Sequence, residues 1–116
     1  MVDTAISSDL IRGHIDTIIL GLLSTRDRYG YELCKEVAIL SGGEYELKEP
    51  TLYSAARRME NQGLIRSYWG EESQGGRRKY YAISPEGTEA YRRNLADWQR
   101  ARRLIDRLIA GDTGKE

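Results

Sequence analysis

The sequence predicts a mainly helical protein that contains a small β-hairpin and ends in a long helix. Apolar residues recur at three- and four-residue spacings over most of the chain, which is the pattern of helices with one buried face. Between residues 64 and 83 the pattern changes to one rich in tyrosine and isoleucine, which is typical of strands. The predicted order is therefore helix, helix, helix, hairpin and long helix.

The first helix is predicted from Ser8 to Ser24. A serine at its start can cap it, because the side-chain oxygen accepts a hydrogen bond from a free backbone N–H group of the first turn. The polar residues 25–28 interrupt the apolar pattern, so the helix ends before them. Its apolar face consists of Ile11, Ile15, Ile18, Ile19, Leu22 and Leu23.

Two further helices are predicted before the hairpin. The second is short and stops at Gly42-Gly43, because glycine readily adopts the left-handed geometry that ends helices. The third covers about residues 50–62, since Pro50 suits a first helical turn and Gly63 closes the segment. The apolar residues of the second helix are Tyr31, Leu33, Cys34, Val37, Ala38 and Leu40, and those of the third are Leu52, Ala55, Ala56 and Met59.

The hairpin is predicted from strands at residues 64–69 and 77–83. Their connection, residues 70–76, is longer than a tight turn, so we expect a mobile loop that projects from the body. Ser84-Pro85 then supplies an N-cap followed by proline at the first helical position, and the helical pattern extends to Ile109.

The composition is that of a globular protein, with 40% hydrophobic and 31% charged residues. No apolar stretch approaches the ~20 residues that a membrane-spanning helix needs, and the N-terminus lacks the basic start of a secretory signal. We therefore expect a soluble cytoplasmic protein with no membrane association. The net charge is zero, but residues 48–82 carry seven basic side chains against four acidic ones. Distant charges are screened, so this segment can still attract a polyanion locally.

Three helices followed by a hairpin form the winged helix-turn-helix arrangement, in which the third helix enters the DNA major groove and the hairpin contacts the adjacent backbone or minor groove. The third helix presents hydroxyl and guanidinium groups on the side opposite its apolar stripe, and both groups suit phosphate and base-edge contacts. The alternative is an ordinary solvated helix. The predicted DNA-binding residues of this helix are Pro50, Thr51, Tyr53, Ser54 and Arg57.

The hairpin carries the stronger electrostatic argument for DNA binding. Cations follow Gly75 and Gly76, and glycine permits close backbone approach while the cations neutralise phosphates. Strand alternation sends Arg77 and Lys79 to one face and Arg78 to the other, so we expect the first two to reach the same groove. The alternative is again a solvated charge run.

Four segments resemble motifs of PadR-family transcriptional regulators. They are EPTLY at 49–53, RRMENQGLI at 57–65, GGRRKYYAISPEG at 75–87 and YGYEL at 29–33. Met59 stands where the family usually has leucine, and Ser84 where it usually has threonine; both keep the physical role. The resemblance covers roughly residues 10–110. It implies a winged helix-turn-helix dimerised through a C-terminal helix, with repression relieved by a small molecule.

We expect a DNA-binding domain over residues 8–84, a dimerisation helix over 85–110 packed on the first helix, and a disordered tail over 111–116. The last helix has the spacing of a coiled-coil seam, which favours a homodimer and hence a palindromic operator. The alternative is a helix that packs only on its own domain. The seam consists of Tyr91, Leu95, Trp98, Arg102, Ile105 and Ile109.

Trp98 lies in the middle of this seam. The segment Leu-Ala-Asp-Trp at 95–98 resembles the multidrug-binding branch of the family, which implies a flat aromatic effector held between the two subunits. The alternative is a tryptophan that only fills the interface. Aspartates favour a cationic effector and Arg102 an anionic one, so the sign of its charge stays open. The predicted lining consists of Gly13, His14, Asp16, Thr17, Leu95, Trp98, Arg102 and Ile105.

An enzyme is the rival class of function, and the sequence supports it poorly. There is one histidine, one cysteine, no glycine-rich phosphate loop and no metal-ligand cluster. We expect no cofactor and no catalytic residue. The other alternative is a winged-helix regulator without a small-molecule effector, acting through protein contacts or through Cys34 redox chemistry. Cys34 lies in an apolar helical pattern, where a buried inert thiol is the usual case.

Overall fold

The computed structural model describes residues 6–71 and 76–111. It is mostly helical with a small antiparallel sheet, as the sequence predicts. The elements in order are α1 (Ser8–Ile11), a 3₁₀ turn (Arg12–His14), α2 (Ile15–Leu23), β1 (Arg28–Tyr29), α3 (Gly30–Leu40), α4 (Glu49–Asn61), β2 (Ile65–Trp69), β3 (Lys79–Ile83) and α5 (Pro85–Ala110). No helix in these ranges is both long enough and apolar enough to cross a membrane.

The prediction of one continuous first helix from Ser8 to Ser24 is wrong, because the helix is broken in the structure. A 3₁₀ turn separates α1 from α2, and His14 has φ −115° and ψ 3°, outside the helical region. Gly13 lies in this turn, and glycine is among the weakest helix formers. The N-cap of α1 is Ser7 rather than Ser8, since the Ser7 Oγ accepts a hydrogen bond from the Asp9 N–H at 3.3 Å.

The sheet contains a strand that the sequence did not predict. The two-residue β1 pairs antiparallel with β3, so the strand order is β1-β3-β2. Tyr80 of β3 therefore faces Tyr29 on one side and Tyr68 on the other. Two residues are too few to show a periodic pattern, and they follow a polar segment that reads as a loop. The regular part of the second hairpin strand begins at Lys79, two residues after the predicted start.

The core forms between α2, α3, α4 and the sheet. The apolar stripe predicted for the third helix is buried at all its positions. The buried Arg28 donates from Nε to the Leu22 carbonyl oxygen at 3.2 Å and from Nη2 to the Thr25 Oγ1 at 3.0 Å. These bonds tie β1 to the end of α2. The largest fully buried side chains are Ile19, Leu20, Leu23, Leu33, Leu52 and Met59.

Helix α5 begins with the predicted cap and packs first against the domain. The Ser84 Oγ accepts a hydrogen bond from the Gly87 N–H at 3.0 Å. The ring of Tyr91 lies against Gly21 of α2, where an added Cβ would be 3.0 Å from the ring. The helix ends at Gly111, which has φ +71°. The predicted disordered tail otherwise lies outside the described residues.

Candidate nucleic-acid interface

Helix α4 separates its apolar and polar residues onto opposite sides. Leu52, Ala55, Ala56 and Met59 are buried, whereas the five residues predicted to contact DNA are all exposed. Pro50 lies in the first turn, as predicted. A helix that is anchored along one side in this way presents the other side as a rigid polar surface.

Tyr53 is an exposed residue of α4 whose ring also packs against α3. Its ring lies so close to α3 that an added Cβ on Gly30 would be 2.6 Å from the Tyr53 Oη. Burial of the ring, together with the charge of Glu49, raises the pKa of the Tyr53 hydroxyl. Tyr53 therefore stays protonated, and its hydroxyl group lies where α4 meets the first turn of α3.

Arg58 does not share the environment of its neighbour Arg57. Its guanidinium forms a two-point ion pair with Asp16 of α2, with Nη2 2.9 Å from Oδ1 and Nη1 in contact with Oδ2. This hydrogen bond and the charge of Asp16 raise the pKa of Arg58. This pair could not be predicted from the sequence, because the two residues are 42 positions apart and no periodicity connects them.

The cations of the hairpin divide between its two faces. The Arg77 guanidinium lies 5.7 Å from the centre of the Trp69 ring, and Trp69 pairs across the sheet with Lys79. Arg78 instead lies 4.7 Å from the centre of the Tyr29 ring. Arg77 and Arg78 therefore contact different aromatic rings, in agreement with the predicted alternation of these two cations. Gly76 has φ +90°, a conformation that glycine adopts without strain, whereas Gly75 lies outside the described residues.

Three tyrosines join the hairpin to β1. The Tyr68 and Tyr80 rings stack with centroids 5.7 Å apart, and Tyr29 meets Tyr80 edge to face at 5.5 Å. The Tyr68 hydroxyl donates to the Asp27 carboxylate at 2.6 Å, and this bond raises the pKa of Tyr68. This cluster was not predicted from the sequence, because it depends on the unpredicted strand β1. It fixes the loop end of the hairpin relative to β1 and the start of α3.

A second concave region lies between the start of α2 and the middle of α5. The His14 and Trp98 rings meet edge to face there, with centroids 4.7 Å apart. The cleft has a volume of about 330 Å³, and its lining consists of Gly13, His14, Asp16, Thr17, Asn94, Asp97, Trp98 and Ala101.

Five of the eight predicted effector residues line this cleft, and three do not. At 100° per residue, Leu95 and Arg102 project from the other side of Trp98 around α5, and Ile105 lies about two turns further along. Asn94 and Ala101 lie on the cleft side. They were not predicted because neither residue occupies a position of the α5 seam.

The seam predicted on α5 has two parts with different surroundings. Tyr91 and Trp98 contact α2 and the 3₁₀ turn of the same chain. Beyond them the apolar side chains are exposed by 46 to 81%, and they are Leu104, Ile105, Leu108 and Ile109.

Cys34 is partly buried, and burial followed by the charges of Glu49 and Glu46 raises the pKa of its thiol, which disfavours the reactive thiolate. Residues 6–71 and 76–111 contain no group of histidine, cysteine, aspartate or glutamate side chains that could hold a metal ion.

A family model and several solved structures all relate the chain to transcriptional regulators. The model of the "Transcriptional regulator PadR-like family" matches residues 19–93. A transcriptional regulator from Clostridium thermocellum is 48% identical with a TM-score of 0.82, over 89% of this chain and 97% of that one. A PadR family transcription regulator from Clostridium difficile is 37% identical with a TM-score of 0.72, over 83% and 98%. Bacillus subtilis PadR, solved in complex with operator DNA, shares the fold at 20% identity and a TM-score of 0.63, over 70% and 46%.

Proposed function

Because the chain belongs to the PadR-like family of transcriptional regulators, we propose that it represses transcription by binding a palindromic operator as a homodimer. The observation that carries this proposal is the surface of α4. Its buried stripe anchors the helix, and outside this stripe it exposes the hydroxyl groups of Thr51, Tyr53 and Ser54 and the guanidinium group of Arg57. That combination suits a helix inserted into a major groove.

The two parts of the interface have different tasks. Arg57 of α4 reads base edges, since an arginine donates two hydrogen bonds to guanine in the major groove. Arg77 and Lys79 lie on one face of the hairpin and neutralise phosphates, which adds affinity without sequence preference. The tyrosine cluster keeps the hairpin at a fixed orientation to α4 through β1 and α3.

A gel-shift titration against the DNA upstream of the chain's own gene tests DNA binding. Arg57→Ala is expected to reduce the preference for operator over mixed-sequence duplex by about 1–3 kcal/mol. Arg92→Ala removes an equal charge from an exposed position on α5 and serves as the matched control, expected to leave the preference unchanged. Equal preference in wild type and Arg57→Ala would exclude Arg57 from base contacts.

The second component of the proposal is an aromatic effector at Trp98, as in the multidrug-binding branch of the family. The cleft beside Trp98 supports it, because a planar molecule can stack on an indole ring that is 38% exposed. We expect calorimetric titration of aromatic cations and anions to show binding by wild type and not by Trp98→Ala. Equal binding by both proteins would leave Trp98 a structural residue.

A further inference from the structure

Asp16 lies in the walls of two separate clefts. One is the cleft beside Trp98. The other, of about 370 Å³, lies between α2 and α4, and its lining consists of Arg12, Ile15, Asp16, Pro50, Thr51, Ser54, Ala55 and Arg58. Three of these α4 residues belong to the proposed DNA surface. Among the described residues that line these two clefts, Asp16 is the only one common to both. Its carboxylate also contacts Arg58 of α4, the helix proposed to read DNA.

Arg58 has the position and freedom to contact DNA. It lies one turn beyond Ser54, so both side chains project from the same side of α4. Its side chain is 53% exposed, and its described hydrogen-bond and ion-pair contacts are those with Asp16. Arg12, the other guanidinium of this cleft, forms an ion pair with Asp9. Both cations of this cleft thus face a carboxylate near the N-terminus of the chain: Arg58 faces Asp16 and Arg12 faces Asp9.

We propose that Asp16 competes with the DNA backbone for Arg58 and so limits the affinity of the protein for DNA. A carboxylate and a phosphate present the same two-oxygen acceptor to a guanidinium, so Arg58 can exchange one for the other. An ion pair exposed to this degree is weak, which makes the exchange accessible. This inference rests on the proposed DNA-binding function.

The test is a double-mutant cycle read by fluorescence anisotropy on a mixed-sequence DNA duplex across a salt series. Asp16→Asn removes the charge and keeps the shape, whereas Arg58→Met removes the cation and keeps the aliphatic stem. We expect Asp16→Asn to bind roughly two- to fivefold more tightly than wild type. Its salt dependence should be steeper by about 0.9, the contribution of one further phosphate contact.

Measuring Asp16→Asn in the Arg58→Met background distinguishes competition for Arg58 from a general electrostatic effect of the Asp16 charge on DNA binding. Removing a negative charge anywhere near DNA would raise affinity in both backgrounds, whereas competition predicts that Asp16→Asn has no effect once Arg58 is methionine. An effect of equal size in both backgrounds, an unchanged salt slope, or weaker binding by Asp16→Asn would each overturn the proposal. If wild type itself showed no salt-dependent binding to any duplex, the proposed DNA-binding function would be wrong instead.

Discussion

Arg57 and Arg58 show how neighbouring residues of one type acquire different roles. Successive helical residues point 100° apart, so Arg57 projects from the side of α4 opposite its buried stripe while Arg58 turns toward α2. The sequence identifies both as exposed cations. Only the packing of α2 against α4 supplies the partner that distinguishes them.

Two glycines give a prediction at the scale of single residues. An alanine Cβ at Gly87 would overlap the carbonyl oxygen of Leu64 and lie 2.8 Å from the Ile83 Cγ1, so backbone must shift. Gly87→Ala is expected to reduce the free energy of unfolding by about 1–3 kcal/mol. Urea unfolding of both proteins at the same concentration measures this difference in the free energy of unfolding.

Gly13→Ala is the matched control for this change. A Cβ there has nothing within 4 Å, and Gly13 lacks the positive φ that would strain alanine. The substitution should therefore leave stability unchanged or raise it by up to about 1 kcal/mol, because alanine restricts the unfolded chain. Destabilisation of both variants to the same extent would refute the packing argument at Gly87.

At the scale of elements, the periodicity of apolar residues predicts the helices that are long and amphipathic. The third and last helices lie within about one residue of their predicted bounds, because each has an apolar face and a clear proline or glycine signal. The second helix ends at Leu40, shortly before its predicted stop at Gly42-Gly43. The 3₁₀ turn and β1 were missed for the same physical reason: each spans three residues or fewer. The tyrosine cluster depends on β1, and the Asp16–Arg58 pair depends on the long-range packing of α2 against α4. Sequence periodicity carries no signal for either.

We predict that the two faces of the hairpin contribute differently to DNA binding. Arg77→Ala and Lys79→Ala should each weaken binding to all duplexes and make the salt dependence shallower by about 0.9. Arg78→Ala removes the same charge from the opposite face, where Arg78 contacts Tyr29, and should change the slope less. Binding isotherms at several salt concentrations measure the slopes. Equal slopes for all three variants would show that the hairpin contributes only its net charge.

At the scale of the whole molecule, the C-terminal half of α5 exposes apolar side chains that a self-contained domain would bury. The molecule extends 61 Å along its longest axis with a Cα radius of gyration of 16.7 Å, whereas a compact domain of this length has a radius of roughly 13–14 Å. The last turns of α5 expose the apolar row that begins at Leu104. A second copy of the chain, related by a two-fold axis, is the partner that we propose for this row.

The last prediction concerns this apolar row and its effect on DNA binding. Replacing Leu104 and Leu108 by glutamate places charges on the proposed interface, so we expect a dimeric wild type and a monomeric variant in sedimentation. Asp106 lies about 160° around the helix from both, and Asp106→Lys is the control that should stay dimeric.

Two linked reading helices gain affinity because binding of the second is intramolecular once the first is bound. Half-sites for such a dimer lie about 34–36 Å apart, so the monomeric variant should lose its preference for correctly spaced palindromes while keeping weak binding to a single half-site. Tight, spacing-dependent binding by a chain that sediments as a monomer would contradict dimerisation through α5. A variant that remained dimeric would place the two-fold contact elsewhere on the molecule.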